Sequence, residues 1–197
     1  MKSIVLIAIL LLAASNARTQ TQEPTYEQSR KWIVAKLNEA GYTHHEWTTL
    51  GTGGEGLRPA YATASLDQIS MDECNLRYSE ILFDSSTEMT FTSSNTIPLA
   101  KVSDVTVKHW VIAKSKFNEE WDEWRITIVA PITQKLVEEK RGVVGQELKN
   151  TTPDKTEITF GKSPATDEDS VNRLQKALKH AAALCKDKQK NTDKEPF

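Results

Sequence analysis

The chain has 197 residues, with 25 Lys+Arg against 27 Asp+Glu for a formal charge of −2, and 38% of it is apolar. Near-balanced charge excludes a strongly basic nucleic-acid binder, and the apolar share excludes wholesale disorder. One domain is the natural expectation at this length.

The first 17 residues read as an export signal. Met1-Lys2 precedes an 11-residue apolar run from Ile4 to Ala14, and Ser15 and Ala17 supply small residues at −3 and −1 of a cut after Ala17. A run of that length is too short to cross a hydrocarbon core of about 30 Å as a helix, so it reads as a signal and not an anchor. The cut removes one of the 25 basic residues and none of the 27 acidic ones, leaving a formal charge of −3. The new N-terminus carries no Cys for a lipid. The expectation is a periplasmic or secreted protein without a stable membrane anchor.

Cys74 and Cys185 are the two cysteines. In an exported chain such a pair reads as a disulfide, the alternative being two buried, inert thiols. A catalytic thiol fits less well, because Cys185 lies on the apolar face of a helix. Asn150-Thr151-Thr152 is a glycosylation sequon, which matters only in a eukaryotic secretory pathway.

In chain order, residues 18–24 are polar and expected to be flexible. Thr25 and Gln28 form a capping box, after which Tyr26, Ile33, Leu37 and Ala40 lie on one helical stripe that Gly41 ends. Thr43 to Leu50 reads as a strand, and Gly51 to Gly56 as a loop. Ser65 to Ser70 has no clear period. Asn75 to Phe83 and Glu88 to Ser93 alternate about an Asp84–Thr87 turn. Val105, Val107, His109, Val111 and Ala113 alternate strictly, and Trp124, Ile126, Ile128 and Ala130 answer them, which predicts a hairpin of 103–114 with 122–130. Residues 131–150 are ambiguous, since Gly142 and Gly145 interrupt any helix. A short strand at Glu157–Phe160 follows. A final helix runs from about Asp167 to Lys186, capped by Thr166, with Val171, Leu174, Leu178, Ala181 and Cys185 on its stripe. Residues 187–197 read as a disordered tail. The fold class is α+β over 25–186: an N-terminal helix, an antiparallel sheet or small barrel, and a long C-terminal capping helix.

Few residue patterns carry chemistry. Gly51-x-Gly53-x-x-Gly56 matches the dinucleotide fingerprint in letters, but Leu57-Arg58-Pro59-Ala60 follows it where a helix N-terminus is required, so no cofactor is assigned. His44-His45-Glu46 would place at most two ligands on one strand face. The acidic group Glu119, Glu120, Asp122 and Glu123 lacks the spacing and turn glycine of a calcium loop, so no metal is assigned. His109 has no sequence-adjacent Ser, Cys or carboxylate to make it a catalyst, and no catalytic residue is assigned. Trp110, Trp121 and Trp124 are the candidate binding residues, because exposed aromatics on a hairpin can stack on sugars, peptides or a partner. The competing expectation is that Trp110 is covered by the N-terminal helix or by 131–150.

The stretch Cys74 to Val107, containing Ile97-Pro98-Leu99-Ala100-Lys101-Val102, resembles the middle of a PH-like barrel, and Ile158-Thr159-Phe160 with Val171, Leu174, Leu178 and Ala181 resembles its last strand and plugging helix. The resemblance implies a recognition scaffold. Phosphoinositide-binding PH domains carry clustered Lys/Arg between their first two strands, and Asp84-Ser85-Ser86-Thr87 has none, so headgroup binding does not carry over. The first functional expectation is a non-catalytic binding or interaction module, whose partner is a protein or a small ligand and not a nucleic acid. The alternative is a carrier of a small apolar ligand in a lipocalin-like or NTF2-like cavity, and a hydrolase built on His109 stands third.

Overall fold

The computed structural model describes residues 23–40, 42–50, 57–112, 121–140, 146–161 and 167–192. The expected signal at 1–17, the Gly51–Gly56 loop, the 113–120 turn, Thr166 and the tail from 193 lie outside the described residues. So do the side chains of His44, His45, Glu46 and Asn150.

Helix α1 covers Tyr26–Ala40. Its start is the capping box read from sequence: the Thr25 N–H donates to Gln28 Oε1 at 2.8 Å, and the Gln28 N–H donates back to Thr25 Oγ1 at 3.3 Å. Ile33 and Leu37 on its stripe are fully buried. Strands β1 (Tyr42–Leu50), β2 (Leu57–Asp72), β3 (Asn75–Asp84) and β4 (Met89–Pro98) then form an antiparallel meander.

After Pro98 the ladder stops. A 3₁₀ turn at Leu99–Lys101 redirects the chain, and β5 (Asp104–Ile112) and β6 (Trp121–Val129) form the predicted hairpin in a second sheet. The ambiguous segment resolves into β7 (Thr133–Lys140) and β8 (Gln146–Thr151), which return to the first sheet. β9 (Lys155–Gly161) joins the second. The orders are β1-β2-β3-β4-β7-β8 and β5-β6-β9. The fold is therefore α+β with two antiparallel sheets, and the barrel alternative is not realised, because the turn at 99–101 splits the strands between two ladders.

Two local features separate this architecture from the sequence reading. β2 is a single 16-residue strand, but its register slips between Asp67 and Ser70, with Gln68 at φ 52°. A bulge of this kind resets the two-residue alternation and hides the strand. Helix α2 spans Glu168–Thr192, six residues beyond the predicted end. Its cap is Asp167, whose Oδ1 accepts the Ser170 N–H at 2.8 Å, one position later than expected. That hydrogen bond holds the Asp167 carboxyl below its ordinary pKa, and the charge suits the helix dipole.

The core lies where both sheets and both helices meet. Leu76, Tyr78 and Ile97 come from the first sheet, Ile126, Ile158 and Phe160 from the second, and Val171, Leu174, Leu178 and Ala181 from α2. Burying each large side chain of this set is worth about 1.5–3 kcal/mol before entropy is counted. Cys74 and Cys185 are bonded, with Cα atoms 5.7 Å apart and 111 residues of separation. Tying off a loop of that length removes about 4–5 kcal/mol of unfolded-state entropy in the chain-entropy account. The double variant Cys74→Ala/Cys185→Ala should therefore unfold in urea with a stability lower by about 4 kcal/mol. A loss below about 1 kcal/mol would show that the cross-link constrains little.

Candidate functional site

The β5–β6 hairpin carries two of the three tryptophans singled out above on opposite faces. In its register His109 faces Trp124, Trp110 faces Glu123 and Ile112 faces Trp121. Since side chains alternate along a strand, Trp124 shares the inner face with Ile126 and Ile128, while Trp110 lies on the outer one. The two do not form one aromatic surface. The side chain of Trp121 lies outside the described residues.

On the inner face the His109 ring stacks on Trp124, with centroids 4.2 Å apart and planes inclined by 13°. His109 Nε2 lies 2.7 Å from Asp122 Oδ1, across the diagonal of the same ladder. On the outer face the Arg125 guanidinium sits 4.6 Å from the Trp110 ring centre. Its Nε donates to Glu123, whose side chain is fully buried, and its Nη1 lies 4.0 Å from Glu157. Asp122 and Glu123 are thus neighbours in sequence with unrelated partners. No group of three or more His, Cys, Asp or Glu side chains converges among the described residues.

Trp110 remains 42% exposed and Val111 59%. Of the described side chains, Arg125 lies over the Trp110 ring. β5 is also an edge strand. Helix α2 closes the first part of that edge: Gln175 Nε2 donates to the Val105 carbonyl at 2.7 Å, and the Val105 N–H donates to Asp104 Oδ1 at 2.8 Å. Both backbone groups of Val105 therefore point away from β6. The two-residue period turns those of Val107, His109 and Val111 the same way, where no strand pairs with them among the described residues.

A second feature was not legible from the sequence. Helices α1 and α2 run antiparallel, with Trp32 beside Arg173 and Pro24 beside His180, and a cleft of about 610 Å³ opens between them. Trp32, Ala177 and Pro24 line it, with Arg173, Lys176 and His180 along one wall. The i, i+3, i+7 spacing of those three residues was the available signal, but nothing in sequence places Trp32 opposite them.

The inner face of the first sheet carries a buried polar group. Asn95 donates to Ser93 Oγ at 3.0 Å and accepts from Gln134 at 3.0 Å, and Gln134 in turn accepts from Thr151 at 3.2 Å. Tyr78 OH bonds Thr156 Oγ1 at 2.8 Å, joining the two sheets. Glu80 pairs in register with Ser93, and burial pushes its carboxyl above the ordinary value of 4.5. No family model matches the chain, and no curated protein or solved structure matches it either.

Glu80 yields a pH prediction with a definite sign. Its folded-state pKa is raised by desolvation, so the folded chain holds this proton to higher pH than the unfolded chain does. Stability then falls as pH rises from the unfolded value through the folded one. Glu80→Gln should be more stable than wild type at neutral pH, and the two should converge below about pH 4 in urea unfolding. A deficit in Glu80→Gln at neutral pH, or a gap independent of pH, would contradict this assignment.

Proposed function

We propose that this chain is an exported, non-catalytic interaction module that recruits an extended segment of a partner protein onto the outer half of β5. The observation that carries the reading is that a strand edge with no paired strand among the described residues carries exposed Trp110 and Val111 on the same few residues. An added strand would bond the outward N–H and C=O groups of Val107, His109 and Val111 and bury the two apolar side chains.

Charge gives the partner a chemistry. Lys108 stands directly across from Arg125, whose own charge is met by Glu123 and Glu157, and Lys108 has no acidic partner among the described residues. The favoured segment is apolar opposite Trp110 and Val111, with a carboxylate within reach of Lys108. His109 fits this role as a side chain held in place by Asp122 and Trp124. The PH-like reading belongs to the same proposal, as a recognition scaffold whose last helix leaves one strand edge open. The disulfide accords with an exported protein.

Val111→Pro tests the proposal with little harm to the fold. The Val111 N–H points away from β6, so proline removes a donor that only an added strand would use. A photo-crosslinking residue at position 111 should capture a discrete protein from the chain's own exported fraction, and one at position 186 on α2 should not. The purified partner should bind Val111→Pro at least about tenfold more weakly than wild type. Equal capture from both positions, or binding by Val111→Pro within about twofold of wild type, would contradict strand addition.

A further inference from the structure

The cleft between α1 and α2 has a chemistry of its own, distinct from the β5 edge. Its volume, about 610 Å³, falls within the range of small-molecule sites. Apolar surface comes from Trp32, Ala177 and Pro24. Among the described residues, every charged or titratable side chain that lines it is a Lys, Arg or His. In a chain with a formal charge of −2 that selection is informative.

The positions of the cationic groups are defined. Arg173 lies over the Trp32 ring, its guanidinium carbon 5.4 Å from the centre; the Asp167 carboxyl is near enough to feel its charge, but the two form no ion pair among the described residues. Lys176 and His180 follow at i+3 and i+7 on the same wall. His180 Nε2 must donate to the Pro24 carbonyl, 2.8 Å away, which holds the ring at the rim and leaves Nδ1 outside that bond. Gln28 uses its side-chain oxygen on the Thr25 N–H, leaving its amide NH₂ as the unspent end. A further observation points to a ligand. Ser29 lines the cleft at 4% exposure, and its hydroxyl has no hydrogen-bond partner among the described residues. A buried hydroxyl without a partner carries a desolvation cost that a ligand oxygen would relieve.

We infer that the cleft binds a small amphipathic carboxylate. Its head is held by Arg173, with Lys176 beside it, and its flat apolar body lies along Trp32 and Ala177. Two charge-assisted hydrogen bonds from one guanidinium fix a carboxylate in a plane, and the indole supplies an apolar wall for the rest of the molecule. The site is independent of the β5 edge, so neither proposal depends on the other.

The test uses 2-naphthoate and its neutral isostere 2-naphthamide, titrated calorimetrically into the oxidised full-length mature chain. The carboxylate should bind, and the amide should bind at least about tenfold more weakly. Arg173→Glu/Lys176→Glu should abolish carboxylate binding, since both residues are exposed and neither supports the core. Lys186→Glu, an exposed charge reversal elsewhere on α2, should leave it unchanged. Trp32→Phe should weaken binding of both probes while preserving the preference for the carboxylate. Equal binding of amide and carboxylate would overturn the inference. So would retained affinity in the double variant, or no detectable heat up to about 1 mM ligand.

Discussion

The fold depends on how tightly one turn is held. Cys74 lies between β2 and β3 with φ at 67°, next to Glu73 at 37°, the two positive-φ positions of a tight two-residue hairpin turn, which residues with a Cβ adopt at some cost and which contacts can help to hold. Here three bonds do so. The side chain is bonded to Cys185 near the end of α2, the N–H donates to the Tyr26 hydroxyl of α1 at 3.2 Å, and the carbonyl accepts the Leu99 N–H of the 3₁₀ turn at 2.8 Å. Both helices and the point where the chain leaves the first sheet are thereby tied to one residue. The apolar stripes of α1 and α2 then have a fixed place against the core, and the disulfide acts together with this packing.

The two proposed surfaces follow from the same arrangement. Because α2 is held over the junction of the sheets, Gln175 reaches the β5 edge and closes it at Val105, while no strand pairs with the part from Val107 onward among the described residues. Because α1 is tied to the same turn, it lies alongside α2 and leaves a cleft with Trp32 on one side and Arg173 on the other. The edge offers backbone hydrogen bonds and exposed apolar groups, which suits an extended peptide. The cleft offers cations around an indole, which suits a small anion. His109 Nε2 lies 2.7 Å from Asp122 Oδ1 and its ring stacks on Trp124, so the side chain is buttressed in place.

Much of the architecture was legible because local signals agreed. The Thr25–Gln28 box and the Ile33–Leu37 stripe define α1, strict alternation defines β5 and β6, and the Val171–Cys185 stripe defines α2. The failures have equally local causes. The bulge at Asp67–Ser70 resets the period of β2, so the longest strand reads as patternless. β7 and β8 are separated by a stretch containing Gly142 and Gly145, which reads as a broken helix as readily as a hairpin. The last turns of α2 have no apolar stripe and are instead solvated, with Lys190 3.9 Å from Asp187. The candidate sites were less visible still. Trp110 stood out as a residue and Val111 only as part of the strand's apolar alternation, but the edge that gives them meaning depends on β5 lying at the end of its sheet. The cleft needs residues 32 and 173 brought together from opposite ends of the chain.

The claim that the Cys74 turn fastens both helices to the sheets is tested most directly by native-state hydrogen exchange on the oxidised and the reduced protein. In the oxidised chain the amides of Leu37, Leu178, Ala182 and Ile126 should exchange only through global unfolding, with one common free energy. After reduction, Ala182 and its neighbours in the last turns of α2 should open at a lower free energy than Ile126, with Leu37 following them. If α2 and α1 still exchange only with the sheets after reduction, the helices are held by packing alone and the account is wrong.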